Sequence, residues 1–129
     1  MYMLDTDICS YLMRDNPPSL TEKFVSHRNV LCISCITCAE LLYGAERKRS
    51  PRLLAQILRF VDMLNVVEWD WEAAQAYASL RSKQEASGMP IDNMDMLIAA
   101  SAISRGYTLV SNNAKHFGKI KELDFETWL

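Results

Sequence analysis

Short apolar runs alternate with longer amphipathic stretches along this chain. Met1–Leu4 is apolar and ends at Asp5, which predicts a buried strand leaving into a polar turn. Thr6 or Asp7 is placed to cap a helix over Ile8–Arg14 that stops before Pro17 and Pro18. Ser19, with Glu22 three residues on, reads as a capping box for a helix over Leu20–Ser26. Asn29–Ile33 is β-branched and apolar and predicts a second strand. Ile36–Lys48 is helical, with Leu41, Leu42 and Ala45 to one side. Pro51 suits the first turn of a helix running to about Leu64, and Val66–Val67 is a brief strand. A long helix over Trp71–Glu85 ends near Gly88, and another over Asn93–Ser104 stops at Gly106. Thr108–Val110 is a strand, and Phe125 with Trp128–Leu129 suggests a last one at the sheet edge.

The strands are short and apolar on both faces, and helices separate them. That pattern implies an α/β sandwich with a mainly parallel central sheet flanked by helices. The length of 129 residues fits one domain, and neither a repeat nor a linker divides it. Half the residues are apolar, with four Gly and four Pro, which excludes disordered and collagen-like classes. There is no run of about 18 apolar residues for a membrane span and no basic, apolar leader at the N-terminus, so a cytoplasmic protein is expected. Cys32, Cys35 and Cys38 have the spacing of an iron–sulfur run. They sit among apolar residues without Gly or Pro, however, and with Cys9 they are expected to be free, core-packing thiols.

Three carboxylates stand out. Asp5 ends the first strand, and open parallel sheets bind ligands at the carboxyl ends of their strands. An aspartate there serves equally as a helix cap, so both readings stay open. Glu40 is a charge amid Cys38, Ala39, Leu41 and Leu42, which needs a partner or solvent. Asp92 and Asp95 flank the start of an apolar helix; the helix dipole accounts for one of them, whereas Asp95 shares its face with Ile98 and Ala99. Together Asp5, Glu40 and Asp95 suggest a divalent-cation site, because clustered like charges are costly without a counter-ion. Ser111, Asn112 and Asn113 close a strand with polar groups able to orient water or phosphate, or simply to turn the chain.

At this point the residues resemble a known family. Met3-Leu4-Asp5-Thr6-Asp7, Ile33-Ser34-Cys35-Ile36-Thr37 with Glu40 and Gly44, Pro90-Ile91 with Asp95 and Ile98-Ala99-Ala100, and Leu109-Val110-Ser111-Asn112-Asn113 with Phe117 are similar, in order and spacing, to the four motifs of PIN-domain ribonucleases. The likeness is greatest to the VapC-type toxins of toxin–antitoxin pairs and covers nearly the whole chain. It implies a PIN-like three-layer sandwich over residues 1–129. It also implies an endoribonuclease dependent on Mg²⁺, or Mn²⁺ in its place, with Asp5 and Asp95 on the metal and Glu40 binding it or orienting water. Thr6, Asp7, Asp92, Ser111 and Asn113 would support these groups. Asp7 departs from the more usual Asn or Ser, and Asn113 is neutral where many members carry a fourth acid. The implied substrate is structured RNA, often tRNA cut in the anticodon loop. The implied partners are a VapB-type antitoxin, a second copy of the chain, and operator DNA bound together with the antitoxin.

A net charge of −2 suits an RNA binder poorly. Leaving out Asp5, Asp7, Glu40, Asp92 and Asp95, fourteen basic residues face eleven acids, a balance of +3. Arg47, Lys48, Arg49 and Arg52 follow the Glu40 helix and are candidate phosphate contacts, or a solvated helix end. Two alternatives remain at this level. One is a haloacid-dehalogenase-like phosphatase, from the Asp5-Thr6-Asp7 spacing, although no paired acidic motif follows. The other is a PIN-like module that binds without catalysis, which the intact Asp5, Glu40 and Asp95 argue against.

Overall fold

The computed structural model describes residues 1–129. Five strands form one sheet: β1 (Tyr2–Leu4), β2 (Leu31–Ser34), β3 (Asn65–Val67), β4 (Thr108–Val110) and β5 (Phe125–Glu126). Their order is β3-β2-β1-β4-β5, and every pairing is parallel. The helices are α1 (Thr6–Arg14), α2 (Pro18–Ser26), α3 (Cys35–Lys48), α4 (Pro51–Asp62), α5 (Trp71–Ala86), α6 (Asn93–Arg105) and the single turn α7 (Ala114–Phe117).

The two-residue period of the strands separates two cores. Leu4, Leu31, Ile33 and Val110 join Ile8, Leu12, Leu20, Phe24, Leu41, Ile57 and Phe60 beneath α1 to α4. Met3, Cys32 and Leu109 point the other way, into a core with Leu80, Met96, Ile98, Ala99 and Phe117 from α5, α6 and α7. A sheet buried on both faces explains why the strands read as continuous apolar runs. No helix is long and apolar enough to cross a membrane.

Several expected boundaries shift. Asp5, rather than Thr6 or Asp7, caps α1, accepting the Ile8 N–H at 2.9 Å. The Ser19 capping box does not form. Pro17 and Pro18 fix the backbone one residue earlier, so α2 starts at Pro18 with no side-chain cap. Arg28–Val30 is a 3₁₀ turn rather than strand, which confines β2 to Leu31–Ser34, where the residues are buried. The helix after Pro51 ends at Asp62, and β5 ends at Glu126, leaving Trp128 to pack into the first core. Gly88 and Gly106 lie just past α5 and α6 with φ of 71° and 68°, left-handed values a side chain would resist.

Replacing Ile33 by Ala empties a wholly buried site and is expected to cost about 2–5 kcal/mol in urea unfolding. Leu58→Ala, on the exposed side of α4, should stay within about 0.5 kcal/mol of wild type.

Candidate functional site

The strand order reverses direction at β1, which pairs with β2 on one side and β4 on the other. Such a switch point opens a crevice at the carboxyl ends of the strands. Asp5 leaves β1 there, with its N–H donating to the Val110 carbonyl at 3.0 Å, and Ser111 leaves β4 beside it. Glu40 comes from the second turn of α3, which follows β2 directly, and Asp95 from the first turn of α6.

Asp5 is only 4 % exposed. The alternatives of cap and crevice prove compatible: one oxygen, Oδ1, takes the Ile8 N–H while the carboxylate stands at the switch point. Burial is the main reason its pKa is pushed from 3.8 to about 6, helped by the nearby charges of Asp7 and Asp95. The Ser111 hydroxyl and the Ile8 N–H act the other way, stabilising the anion.

Glu40 is half-buried, and its Oε1 accepts the Thr6 hydroxyl at 2.5 Å, the partner that a charge in this setting requires. Its carboxyl is raised, chiefly by burial and then by Asp95, Asp7 and Asp92, against the pull of Thr6. Asp95 is raised by burial and by Asp92, and lowered by a hydrogen bond to His116. Asp92 caps α6, accepting from the N–H of Met94 at 3.1 Å and Asp95 at 3.4 Å. The structure thus brings Asp5, Glu40 and Asp95 together, with Asp7 and Asp92 close enough for their charge to be felt. Asp7 itself is exposed on α1, and no side-chain bond ties it to the site.

Ser111 accepts the Asn113 N–H at 2.9 Å, which folds the exit of β4 back under Asp5. Asn113 lies 3.0 Å from Nδ1 of His116, and the same nitrogen lies 3.1 Å from Oδ2 of Asp95. His116 belongs to the site and was not anticipated from the sequence. The sequence held little signal for it, because α7 is only four residues long and shows no helical period.

Next to Glu40, a groove of about 550 Å³ runs between α1, α3 and α4. Of the four basic residues singled out in the sequence, Lys48 and Arg52 line it, and Arg47 and Arg49 do not. Arg14, from the last turn of α1, is the basic residue the sequence reading missed. Cys9 and Cys32 are buried and Cys35 and Cys38 half-buried, all as free thiols, and Cys35 Sγ accepts the Trp69 N–H at 3.2 Å.

This geometry has well-known counterparts. A PIN-domain family model matches residues 2–123. The chain belongs to the PIN-domain family. Its full-length relatives are VapC proteins: it is 38 % identical over 128 residues to the tRNA(fMet)-specific endonuclease VapC of Shigella flexneri, covering 98 % of this chain and 97 % of that one. It is 35 % identical to Ribonuclease VapC2 of Rickettsia felis, over 99 % of this chain and 98 % of that one. Among solved structures, DNA-bound VapBC from Salmonella typhimurium superposes with a TM-score of 0.96 at 36 % identity, over 99 % and 98 % of the two chains.

Because folding raises the Asp5 pKa, the folded protein binds that proton more tightly than the unfolded chain. This stabilising contribution is complete below about pH 4 and is lost as pH rises through about 6, a penalty on the order of 3 kcal/mol at pH 8. Asn caps helices as well as Asp. In chelator-treated protein, Asp5→Asn should therefore melt several degrees above wild type at pH 8, with the gain vanishing below pH 4. A variant no more stable at pH 8 would contradict a buried, strained carboxylate.

Proposed function

We propose that this protein is the ribonuclease toxin of a VapBC-type pair, an endonuclease that cuts a single-stranded loop of a folded RNA, tRNA foremost, with Mg²⁺ or Mn²⁺ as cofactor. The observation that carries this reading is the convergence of Asp5, Glu40 and Asp95 at the sheet switch point of a chain related over its whole length to VapC ribonucleases. The choice of tRNA rests on the Shigella flexneri relative, whose name specifies tRNA(fMet). The family assignment leaves no role for a haloacid-dehalogenase chemistry.

The donors fit the cofactor. They are carboxylate and hydroxyl oxygens, the hard set that Mg²⁺ and Mn²⁺ take. No three His, Cys, Asp or Glu side chains stand close enough to hold a metal ion by themselves, so the cofactor reading rests on the chemistry of these donors and on Mg²⁺ needing only one or two protein carboxylates beside water and phosphate. Asp5 and Asp95 would hold it, with Glu40 within reach. A divalent cation at this point supplies Lewis acidity, polarising phosphate and acidifying water.

The chain's own groups do the rest. The Thr6 hydroxyl fixes Glu40 in one rotamer, so that the free oxygen of Glu40 can accept a proton from an attacking water. Ser111 and the Ile8 N–H hold the Asp5 carboxylate in place. Arg14, Lys48 and Arg52 offer phosphate contacts along the groove leading to Glu40. A crevice lined by side chains at the strand ends can seat a splayed-out strand, the form in which RNA sequence is usually read.

The partner follows from the same family reading. VapBC complexes, two of them bound to DNA, are among the solved structures similar to this chain, which supports a VapB-type antitoxin as its inhibitor and a joint assembly on operator DNA. We include a homodimer in that assembly, and the cytoplasm as its place.

Purified protein should cut RNA in Mg²⁺ or Mn²⁺ and stop in EDTA, with Asp5→Asn and Asp95→Asn each slowing cleavage by orders of magnitude while remaining folded. Cleavage undiminished by EDTA would sink the mechanism. In cells, expression alone should arrest growth, Glu40→Ala should be harmless, and a co-expressed antitoxin should rescue; equal slowing by wild type and Glu40→Ala would point to a folding burden.

Charge removal gives a separate check. Lys48→Ala with Arg52→Ala should weaken RNA binding and flatten the slope of log K against log salt by about 1.4, from two lost phosphate contacts. Arg47→Ala with Arg49→Ala should leave that slope unchanged, since neither lines the groove.

A further inference from the structure

We propose that His116 is a positioning residue that aims Asp95 at the metal site, through a hydrogen bond from its Nδ1 to one carboxylate oxygen only. The inference rests on the reading of Asp95 as a metal-holding group.

The geometry is specific. His116 Nδ1 lies 3.1 Å from Oδ2 of Asp95, and Oδ1 of Asp95 has no protein partner. An ionised carboxylate only accepts hydrogen bonds, so Nδ1 must carry the hydrogen in this pair. The structure sets the Asn113 amide nitrogen, Nδ2, at 3.0 Å from the same Nδ1, and a half-turn of that amide brings its oxygen to the place where it accepts from the N–H. The ring is thus held from two sides through one atom. Its Nε2 has no protein partner, so the imidazole's tie to the protein is this shared contact.

The platform beneath it is built rather than incidental. Phe117, the next residue, is 1 % exposed in the second core and anchors α7. The Phe117 N–H bonds the Asn113 carbonyl at 3.0 Å, which fixes the separation between Asn113 and His116. On the other side, α6 is tied down by Trp69, whose Nε1–H donates to the Leu97 carbonyl at 2.9 Å, two residues after Asp95. Both halves of the Asp95–His116 pair therefore stand on packed elements. The pair is partly open to the crevice, with side chains 26 % and 37 % exposed.

The consequence is a division of labour within one carboxylate. Oδ2 is occupied by the imidazole and the rotamer of Asp95 is fixed, so Oδ1 remains for a cation. The neutral Asn113, at the place where a fourth acid would stand, has a defined part: it orients the histidine that orients the aspartate. Groups that orient a metal-binding side chain typically contribute about 10–100-fold in metal affinity or activity.

The test is Mn²⁺ binding to RNA-free protein, followed by electron paramagnetic resonance, for wild type, Asp95→Asn, His116→Phe and His116→Asn. Phe keeps a ring without a donor, whereas Asn keeps an amide nitrogen on the atom next to Cβ, as in Nδ1. His116→Phe should bind Mn²⁺ about 10–100-fold more weakly, with melting in EDTA unchanged, and His116→Asn should recover most of the loss. At one fixed, subsaturating Mn²⁺ concentration, RNA cleavage should fall in kcat rather than in the KM for RNA. If His116→Phe fails to fold, His116→Gln, whose amide sits one atom farther out, must show the same weakened binding. Mn²⁺ affinity equal to wild type in the folded ring or Gln variant, with Asp95→Asn impaired, overturns the positioning role alone. Wild-type affinity in Asp95→Asn overturns the metal reading of Asp95, and the role of His116 with it.

Discussion

The carboxylate of Asp5 is held out of water at the end of the central strand, against the charges of other acids, and the neighbouring groups are arranged around that cost. A desolvated anion beside like charges is unstable unless it has hydrogen bonds, a counter-ion or a proton. The fold supplies two hydrogen bonds, from the Ile8 N–H and the Ser111 hydroxyl, and no basic side chain. Its pKa remains high as a result, which is the electrostatic ground for the divalent cation proposed above. Glu40 and Asp95 repeat the arrangement in milder form, each half-buried and each with a single side-chain donor, Thr6 and His116.

The all-parallel sheet makes this arrangement possible. Every strand ends on the same side, so residues far apart in the chain exit into one crevice. Opposite faces of β1, β2 and β4 are committed to separate cores, which leaves the strand ends as the place where polar side chains can gather. Helices α3 and α6 begin close to this edge. Their first two turns therefore carry Glu40 and Asp95, beside residues such as Leu41, Ala45, Ala99 and Ala102 that pack into the cores.

Much of this was legible in the sequence. Met1–Leu4 has no polar residue and β4 only Thr108 at its start, so neither reads as a strand with one solvated face, and the parallel sheet was expected from their composition. Asp5, Glu40 and Asp95 were visible because each sits where an apolar pattern should have continued. The capping of α1 was misassigned because Asp5, Thr6 and Asp7 all cap well, and only the backbone bond of Asp5 to Val110, a contact across the sheet, decides among them. Ser19 lost its capping role to the rigid Pro17–Pro18 pair beside it. His116 was missed for a different reason. Its partner Asp95 lies 21 residues earlier, on another helix, and a histidine in a one-turn helix has no periodicity to mark it.

The position of β1 bears on how the protein is made. This strand precedes the other four in the chain, yet it lies in the middle of the sheet and gains one neighbour only when residues 108–110 have been synthesised. Until then the β1 edge is unpaired, and the Asp5 N–H lacks the Val110 carbonyl that anchors it. Asp95 and His116 also arrive late. A nascent chain therefore carries Asp5 and Glu40 for most of its synthesis without an assembled site. The acidic cluster is completed only after Asp95 and His116 have been made, so its assembly waits on the same stretch of chain that closes the second edge of β1.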